Sequence, residues 1–344
     1  MSLDHASRRD HESGHNHGAV FHHNSVFTNS VFTASLNDDA VDEVIVHRGE
    51  EVWTDRDGLL SRCGVVEPTE LQYFLEHNLS EAGRHLDRLT PMVDARLRDG
   101  SRLCAVIPPI AVDGIELSIR RHRQQRREIT AFADAPVSQL IHELVDERHN
   151  IIVSGPTSSG KTTFLSTLLT NALANGDRIV AIEDTCELQP QQGESMGHIV
   201  HLEARQRSTD GSGEITLHDL LVTALRLRPD RIVVGEVRGA EVVTLIHAMN
   251  TGHDGSMSTC HANSPADAVH RLSQLMLQHS PNWPERSIVD QLHRSIDAII
   301  QVQKTPQGNR VVTDIMQPTA DGLIPIVLSG EVNGSLQSRA QRHA

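Results

Sequence analysis

The chain has 344 residues, more than one hydrophobic core usually organises, so we expect two domains. Its 31 basic and 45 acidic residues give a formal net charge of −14, which disfavours a nucleic-acid partner and direct binding to anionic membranes. Four cysteines stand far apart, in neither a metal-ligand spacing nor a disulfide framework. No apolar run approaches the about 18 residues of a membrane span or forms the core of a signal peptide. These features predict a cytoplasmic protein without direct membrane insertion.

Residues 1–38 are polar, and six histidines stand between positions 5 and 23. Because the segment has no helical or strand periodicity, it predicts a disordered tail. Metal binding by the histidines is one interpretation of this composition. A histidine-rich tail without a metal is the other, since such clusters are common in tails.

A small α+β domain is predicted over residues 39–120. Two short alternating segments, 43–47 and 51–54, flank a turn and predict a β-hairpin. Thr69 and Gln72 have the spacing of a capping box, which predicts a helix that ends near Leu79. The other predicted strands are 103–107 and 115–120, and residues 121–135 are predicted to form a linker.

Strands alternate with helices of 10 to 15 residues across a second predicted domain, 136–330. This alternation is typical of a largely parallel sheet that helices cover on both faces. A polar tail is expected over 331–344. The predicted strands are 151–154, 178–182, 199–202, 231–234, 256–260, 298–302 and 310–315, and the predicted helices are 136–148, 161–174, 217–227, 240–250, 264–278 and 285–296.

A phosphate-binding motif, G-x-x-x-x-G-K-[ST], lies between the first of these strands and the helix that follows. Backbone N–H groups and the helix N-terminus are expected to hold the phosphates of ATP, with Lys161 neutralising the terminal phosphates and Thr162 ligating Mg²⁺. A chance glycine turn is the alternative. The predicted nucleotide-binding residues are Gly155, Pro156, Thr157, Ser158, Ser159, Gly160, Lys161, Thr162 and Thr163.

Two later strands end in carboxylates. Glu236 is the predicted catalytic carboxylate, and it is expected to contact Mg²⁺ through water, because Gly235 stands where many P-loop enzymes have a metal-binding Asp. Glu183 follows the next strand after the P-loop helix and is predicted to position or deprotonate the attacking water. Ordinary capping of a helix or loop is the alternative at both strand ends.

Small polar residues crowd the segment 251–263, which contains a strand expected inside the sheet. A buried polar group without a partner costs about 1 to 3 kcal/mol, so we expect this strand to face a ligand or a water network. His261, at the end of the strand, is placed to sense a γ-phosphate. A core histidine is the alternative.

Arginines are frequent around these motifs. ATPases that bind nucleotide at subunit interfaces supply an arginine to the neighbour's γ-phosphate, and Arg120 and Arg205 are the predicted residues for that role. Most of the other arginines are expected to be solvated or paired. The cluster consists of Arg205, Arg207, Arg226, Arg228, Arg231 and Arg238, with Arg120 and Arg121 further upstream.

These motifs resemble those of the secretion-system traffic ATPases, and in particular the tight-adherence pilus branch (CpaF or TadA type). The runs 224–239, ALRLRPDRIVVGEVRG, and 250–256, NTGHDGS, are similar to that branch almost letter for letter. Glu183 resembles the start of the family's aspartate box, Glu236 its atypical Walker B carboxylate and His261 its histidine box. Segments between 91 and 120 resemble the family's N-terminal domain, so the resemblance covers roughly residues 40 to 320.

The resemblance implies an α/β fold in which a RecA-like P-loop NTPase domain follows the smaller α+β domain. It also implies a homohexamer that uses ATP and Mg²⁺ at the cytoplasmic face of the membrane. An integral membrane platform protein of a pilus or secretion machine would receive the motion. Residues 206–208 depart from the family pattern of prolines and asparagine, so the role of that loop is left open.

Two other functions stay open at this point. A conjugative or DNA-processing motor would use the same core, although an aromatic content of 3% offers little for base stacking. A nucleotide-binding scaffold that does not hydrolyse ATP would lack an acidic or phosphate-contacting group, and the motifs contain all of them.

Overall fold

The computed structural model describes residues 30–56, 58–121, 127–190, 197–205, 207 and 212–337. Most of the predicted tail, the centre of the predicted linker and most of the loop 206–208 therefore lie outside the described residues. The chain divides into two compact units, Met1–Arg123 and Gln124–Ala344. No helix in the described ranges combines the length and apolar character needed to cross a membrane.

The described part of the first unit contains a six-stranded antiparallel sheet in the order β3-β2-β1-β6-β5-β4. The predicted hairpin is confirmed, since β1 pairs with β2 around a turn in which Arg48 and Gly49 both have positive φ. Val44, Val46 and Phe74 belong to the core cluster of this unit. Its elements are α1 (Val31–Asn37), β1 (Glu43–His47), β2 (Glu51–Arg56), β3 (Leu59–Val65), α2 (Pro68–Glu81), β4 (Met92–Arg96), β5 (Arg102–Val106) and β6 (Glu116–Arg120).

Helix α1 shows that the predicted tail extends too far. Phe32 and Leu36 stand four residues apart, on one face of the helix, and both are fully buried. The Ser30 hydroxyl caps the helix by accepting a hydrogen bond from Thr33 N at 3.0 Å. A helix of seven residues is too short for its periodicity to stand out in the sequence.

The predicted capping box of α2 is wrong. The helix begins at Pro68, with Glu67 in the N-cap position and no hydrogen bond from its side chain. Thr69 therefore lies inside the first turn. Proline at the start of a helix has its φ already fixed and needs no N–H partner, so the helix begins there without the predicted cap.

The second unit has a nine-stranded sheet among its described residues, in the order β15-β14-β13-β12-β7-β11-β10-β8-β9. The six strands from β12 to β9 are parallel, as predicted, and β13 to β15 continue the sheet as antiparallel strands. The elements are α3 (Ala135–Asp146), β7 (Ile151–Gly155), α4 (Lys161–Ala174), β8 (Arg178–Glu183), β9 (His198–Glu203), α5 (Leu217–Ala224), β10 (Arg231–Val234), α6 (Glu241–Asn250), β11 (Met257–His261), α7 (Pro265–His279), α8 (Glu285–Ser295), β12 (Ala298–Lys304), β13 (Arg310–Thr319), β14 (Gly322–Leu328) and β15 (Glu331–Val332).

Helices cover both faces of the parallel strands. Ile151 and Val153 of β7 pack with α3 and α4 in one cluster, whereas Ile152, between them, packs with helices α5 to α8 in another. Strands that are buried on both faces are rich in apolar residues and do not alternate, which is why β7 and β10 were recognisable by the apolar runs 151–153 and 232–234.

Two predicted boundaries of this unit are wrong. Ile129 and Phe132, in the predicted linker, are buried in the core cluster that includes Phe164. At the other end, β15 pairs with β14, and Gln337 N donates to Gln317 Oε1 at 2.8 Å. Residues 331–337 are thus part of the folded unit and not of a tail.

Candidate nucleotide-binding site

The loop from Gly155 to Gly160 connects β7 to α4 and folds into a tight cradle. Ser158 and Gly160 both have positive φ, at 62° and 95°, which turns successive backbone N–H groups toward one side. A Cβ atom at Gly155 would lie 2.3 Å from Val302 O, so only glycine fits at that position. Phe164 N bonds to Gly160 O, so the helical hydrogen bonds of α4 begin at the loop itself.

Lys161 lies across the mouth of this loop. Its Nζ atom donates to the carbonyl oxygens of Gly155 and Pro156, each at 3.0 Å. The side chain is 7% exposed, and its burial lowers the pKa of Lys161 while the nearby Glu236 carboxylate opposes that shift. The ammonium group is thus held where phosphate oxygens would replace backbone carbonyls as its partners.

The Ser159 hydroxyl supplies a further indication of a ligand. It is buried and makes no hydrogen bond to any described residue. Orphaned buried hydroxyls are uncommon in native proteins, because the lost hydration costs about 1 to 3 kcal/mol. The cradle, the cation and this hydroxyl together fit a polyphosphate. Thr162 and Thr163, in the first turn of α4, are half-buried beside it.

His261 connects Lys161 to Glu236. Its Nδ1 atom is 3.2 Å from Lys161 Nζ and its Nε2 atom is 3.1 Å from Glu236 Oε1. Because an ammonium group only donates hydrogen bonds, His261 Nδ1 must accept one from Lys161. The ring proton is therefore on Nε2, which donates a hydrogen bond to Glu236. Burial lowers the pKa of His261, which favours this neutral ring. The structure therefore joins three predicted site residues in one hydrogen-bonded chain.

Glu236 is also held from its other side. The Glu236 Oε2 atom accepts from Arg238 Nε at 2.9 Å, and Arg238 NH1 lies 3.5 Å from Asp184 Oδ2. The hydrogen bond that Arg238 donates to Glu236 raises the pKa of Arg238 and so favours its charged form. Glu236 and Asp184, at the ends of two adjacent strands, are thus bridged by one guanidinium group.

Glu183 is buried at the end of β8, and Gly235 is its close neighbour. Its Oε1 atom accepts from the backbone N–H groups of Glu187 at 2.9 Å and Leu188 at 3.0 Å. Burial nevertheless dominates and raises the pKa of Glu183 to about 7. A Cβ atom at Gly235 would lie 2.8 Å from Glu183 Cγ, so the glycine is needed for this carboxylate to fit.

The sequence interpretation missed Glu241, which shapes the loop after Glu236. Its Oε1 atom accepts from Arg238 N at 2.6 Å and from Gly239 N at 2.8 Å. A carboxylate in the first turn of α6 was a signal that could have revealed this role, since such residues bind free N–H groups.

Gln301 is a second residue that the sequence interpretation missed. It is fully buried on β12, where its Oε1 atom accepts from Ser154 Oγ at 2.5 Å and its Nε2 atom donates to Asn263 O at 3.1 Å. The side chain thereby ties the end of β7 to the loop that follows His261. A glutamine between the apolar residues Ile300 and Val302 was the available signal.

Residues 28–320 match the family described as "Type II/IV secretion system protein". The chain belongs to this family. A putative conjugal transfer protein of Mycobacterium tuberculosis is 35% identical over 293 residues, which are 81% of each chain. The protein VirB11 of Agrobacterium fabrum is 28% identical over 304 residues, covering 77% of this chain and 85% of that protein.

A solved structure of another protein has the same fold as this chain. The crystal structure of the pilus retraction motor PilT with bound ADP superposes with a TM-score of 0.60 at 21% identity, covering 81% of this chain and 80% of that chain. The predicted fold class is confirmed: an α/β, RecA-like domain with a smaller α+β domain.

The polar strand β11 corrects one prediction about the site. The hydroxyl groups of Ser258 and Thr259 donate to Val234 O and Gly235 O, each at 2.7 Å. These hydroxyls therefore bind the backbone of the adjacent strand β10, and the prediction that they face a ligand or a water network is wrong. These two hydrogen bonds fix the position of Gly235 relative to β11. Glu236, the next residue, is thereby held close to His261 at the end of β11.

The predicted arginines fall in different places. Arg205 lies just beyond β9, where its Nε atom donates to Gly213 O at 2.5 Å. That edge is four strands from β7, about 19 Å across the sheet. Arg120 ends β6 in the first unit. Neither belongs to the hydrogen-bonded chain around Lys161, so their role toward a neighbouring subunit stays a prediction.

Proposed function

We propose that this chain is an ATP-hydrolysing motor subunit of a secretion or conjugation machine. The observation that carries the proposal is the chain of hydrogen bonds from Lys161 through His261 to Glu236, next to a formed phosphate loop. A cation on one end and a carboxylate on the other bracket the position where a terminal phosphate and an attacking water would stand. Membership of the type II/IV secretion family supports this function.

Each residue of the site has a separate role in the proposed hydrolysis of ATP. The loop N–H groups, from Gly155 to Thr163, bind the phosphates of ATP, and Lys161 leaves its carbonyl partners to neutralise them. Thr162 and, through water, Glu236 would hold Mg²⁺, which supplies Lewis-acid stabilisation of the phosphate charge when it is bound. Glu236 orients the water, and Glu183 accepts a proton from it. His261, protonated at Nε2, links the phosphate-binding lysine to the catalytic carboxylate.

The wider assembly is also part of the proposal. The chain would act as a homohexamer at the cytoplasmic face of the membrane and drive an integral membrane platform protein. The runs 224–239 and 250–256 support placing it in the tight-adherence pilus branch. Arg120 and Arg205 are proposed to reach the nucleotide of a neighbouring subunit, a role worth about 10³-fold or more in rate.

A conjugative motor is the second candidate. One relative is named as a putative conjugal transfer protein, which favours it. If the chain acts directly on DNA, single-stranded DNA should stimulate hydrolysis, and the stimulation should fall steeply with salt. A net charge of −14 and few aromatic residues instead predict no such stimulation.

Phosphate release by the purified full-length protein, with Mg²⁺ and with its mass measured on the same samples, tests the proposal. Hydrolysis is expected from the assembled ring, and Lys161→Ala is expected to abolish it. Lys304→Ala is the matched control, because Lys304 is the other lysine in the chain and is exposed on β12. Tight ATP binding without hydrolysis by the assembled protein would replace the motor with a nucleotide-binding scaffold.

A further inference from the structure

Three side chains with metal-ligating atoms converge where β8 and β9 end. One ligand atom each from Glu183, Cys186 and His201 lies within 4.8 Å of the other two. In the part of the chain that the structure describes, no other group of three such side chains brings its ligand atoms this close together. The set mixes a thiol, an imidazole and a carboxylate, which are the three ligand types of zinc.

The register of the sheet produces this convergence. In the parallel pair of β8 and β9, Ala181 stands opposite His201 and Glu183 opposite Glu203. Alternate residues of a strand share a face, so Ala181 and Glu183 point to the same face of the sheet. His201, the partner of Ala181, lies on that face as well, two residues along the strand from the level of Glu183. Cys186 follows three residues after Glu183 and returns over that face. A cysteine spacing in the sequence cannot reveal such a site, since its ligands come from two strands and a loop.

The distance between the sulfur and the imidazole fits a tetrahedral metal ion. Cys186 Sγ and His201 Nδ1 are 3.6 Å apart. With Zn–S near 2.3 Å and Zn–N near 2.05 Å, two ligands of a tetrahedral ion stand about 3.6 Å from each other. The Cys186 thiol also donates to the Glu183 carboxylate, so one sulfur atom already joins the other two groups. A metal ion would take the place of that thiol proton.

The exposure of His201 gives a cation a path to these groups. Among the backbone contacts of Glu183, Oε1 accepts two N–H groups, and the contact of Oε2 with Leu188 N is longer, at 3.2 Å. Cys186 is buried, which shields the thiolate, and His201 is exposed, which gives a cation access from solvent. Three protein ligands with one open side match the coordination of accessible zinc sites.

We propose that Glu183, Cys186 and His201 form a binding site for Zn²⁺ or a transition-metal cation of similar preference. A bound cation would hold the Glu183 carboxylate toward Cys186 and away from the attacking water, so it would inhibit hydrolysis. This consequence rests on the proposed function, whereas the binding site itself does not.

Co²⁺ is a suitable probe, because coordination by a thiolate gives it a near-ultraviolet charge-transfer band that histidine ligands alone do not produce. The six histidines near the N-terminus can therefore bind Co²⁺ without imitating the signal. Titration of the reduced full-length protein is expected to give one band-forming Co²⁺ per chain, which Zn²⁺ displaces. Cys186→Ser should remove the band, and His201→Gln should weaken binding at least about tenfold.

Cys104→Ser and His198→Gln are the matched controls. Cys104 is an exposed thiol in the first unit, and His198 is exposed at the other end of β9. Both variants should keep the band. A band that persists in Cys186→Ser, or equal affinity in His201→Gln, would overturn the site. If Cys186→Ser fails to fold, as judged by its circular dichroism melt, His201→Gln decides, because its side chain lies at the surface.

A second readout separates the site from the function. The ratio of phosphate-release rates with and without one equivalent of Zn²⁺ should fall for the wild-type chain and stay near one for His201→Gln. An unchanged wild-type ratio while the metal is bound would refute the inhibitory consequence. A protein that never hydrolyses ATP but gives the cobalt band would refute the motor and retain the site.

Discussion

At Gly235 the space for a side chain is already taken by Glu183, whose Cγ would lie 2.8 Å from a Cβ atom. This explains why glycine stands where many P-loop enzymes have aspartate. Gly235→Ala should therefore displace Glu183 and lower the free energy of unfolding by about 1 to 3 kcal/mol, as other overpacked sites do. Urea unfolding measures the loss, and phosphate release should fall with it.

A double-mutant cycle identifies the cause. In a Glu183→Ala background the clashing Cγ atom is absent, so Gly235→Ala should cost much less stability than in the wild-type chain. Equal costs in the two backgrounds would show that the glycine serves some purpose other than making room for Glu183.

His149, just before β7, gives a prediction about pH. Its Nδ1 atom lies 3.7 Å from the buried Asp297 carboxylate, and its Nε2 atom lies 3.2 Å from Glu147. The hydrogen bond with Asp297 is the main cause that raises the pKa of His149 above its usual 6.5, and the interaction with Glu147 adds a smaller contribution. Folding therefore gains from protonated His149 below the unfolded pKa, and that gain is lost as the pH rises through the folded pKa.

His149→Gln should accordingly reduce the free energy of unfolding more at about pH 5 than at about pH 9. Denaturant unfolding at the two pH values measures the difference. Glu147→Gln removes only the more exposed partner and should give a smaller change of the same sign. A loss that is the same at both pH values, or larger at the alkaline one, would contradict the assignment.

Among the elements, a buried ion pair fixes the starts of β8 and β10. Arg231 Nε lies 2.6 Å from Asp177 Oδ2, Arg231 NH2 donates to Val145 O at 2.7 Å, and both charged side chains are almost fully buried. Asp177→Asn leaves the guanidinium without its counter-charge and should cost about 3 to 5 kcal/mol of unfolding free energy.

The exposed pair of Asp290 and Arg294 on α8 is the control. Its atoms are 3.0 Å apart, but the side chains are 54% and 51% exposed, so Asp290→Asn should cost less than about 0.5 kcal/mol. Similar losses for the two variants in denaturant unfolding would show that burial does not set the strength of the pair around Arg231.

Some elements could be predicted because their signals are local. The bounds of α4 and β10 agree with the sequence interpretation, since the phosphate loop fixes the start of α4 and three successive apolar residues follow Arg231 in β10. Strand β3 could not be predicted, because it is an edge strand whose side chains are mostly exposed and do not alternate between buried and exposed positions. Helix α1 could not be predicted either, because it depends on contacts with distant segments, such as the hydrogen bond that Thr33 Oγ1 donates to Glu70 Oε1 at 3.1 Å.

For the whole molecule, the candidate site was predictable where residues follow parallel strands. The carboxyl ends of such strands meet at one edge of the sheet, so Lys161, Glu236 and His261 could be expected together. Their hydrogen-bonding order could not, because it depends on side-chain geometry. The partners of Arg231 and the ligand set around Cys186 were also hidden, since residues remote in sequence supply them.

The central claim is that Glu236 acts in the chemistry of ATP hydrolysis. Single-turnover hydrolysis by Glu236→Gln, with binding of labelled ATP measured on the same samples, tests it most directly. The glutamine carbonyl can still accept the hydrogen bond from His261 Nε2, so binding should persist while hydrolysis falls at least about 10²-fold. Glu143→Gln, which changes an exposed carboxylate on α3, should behave as wild type. Hydrolysis by Glu236→Gln at the wild-type rate would contradict the account.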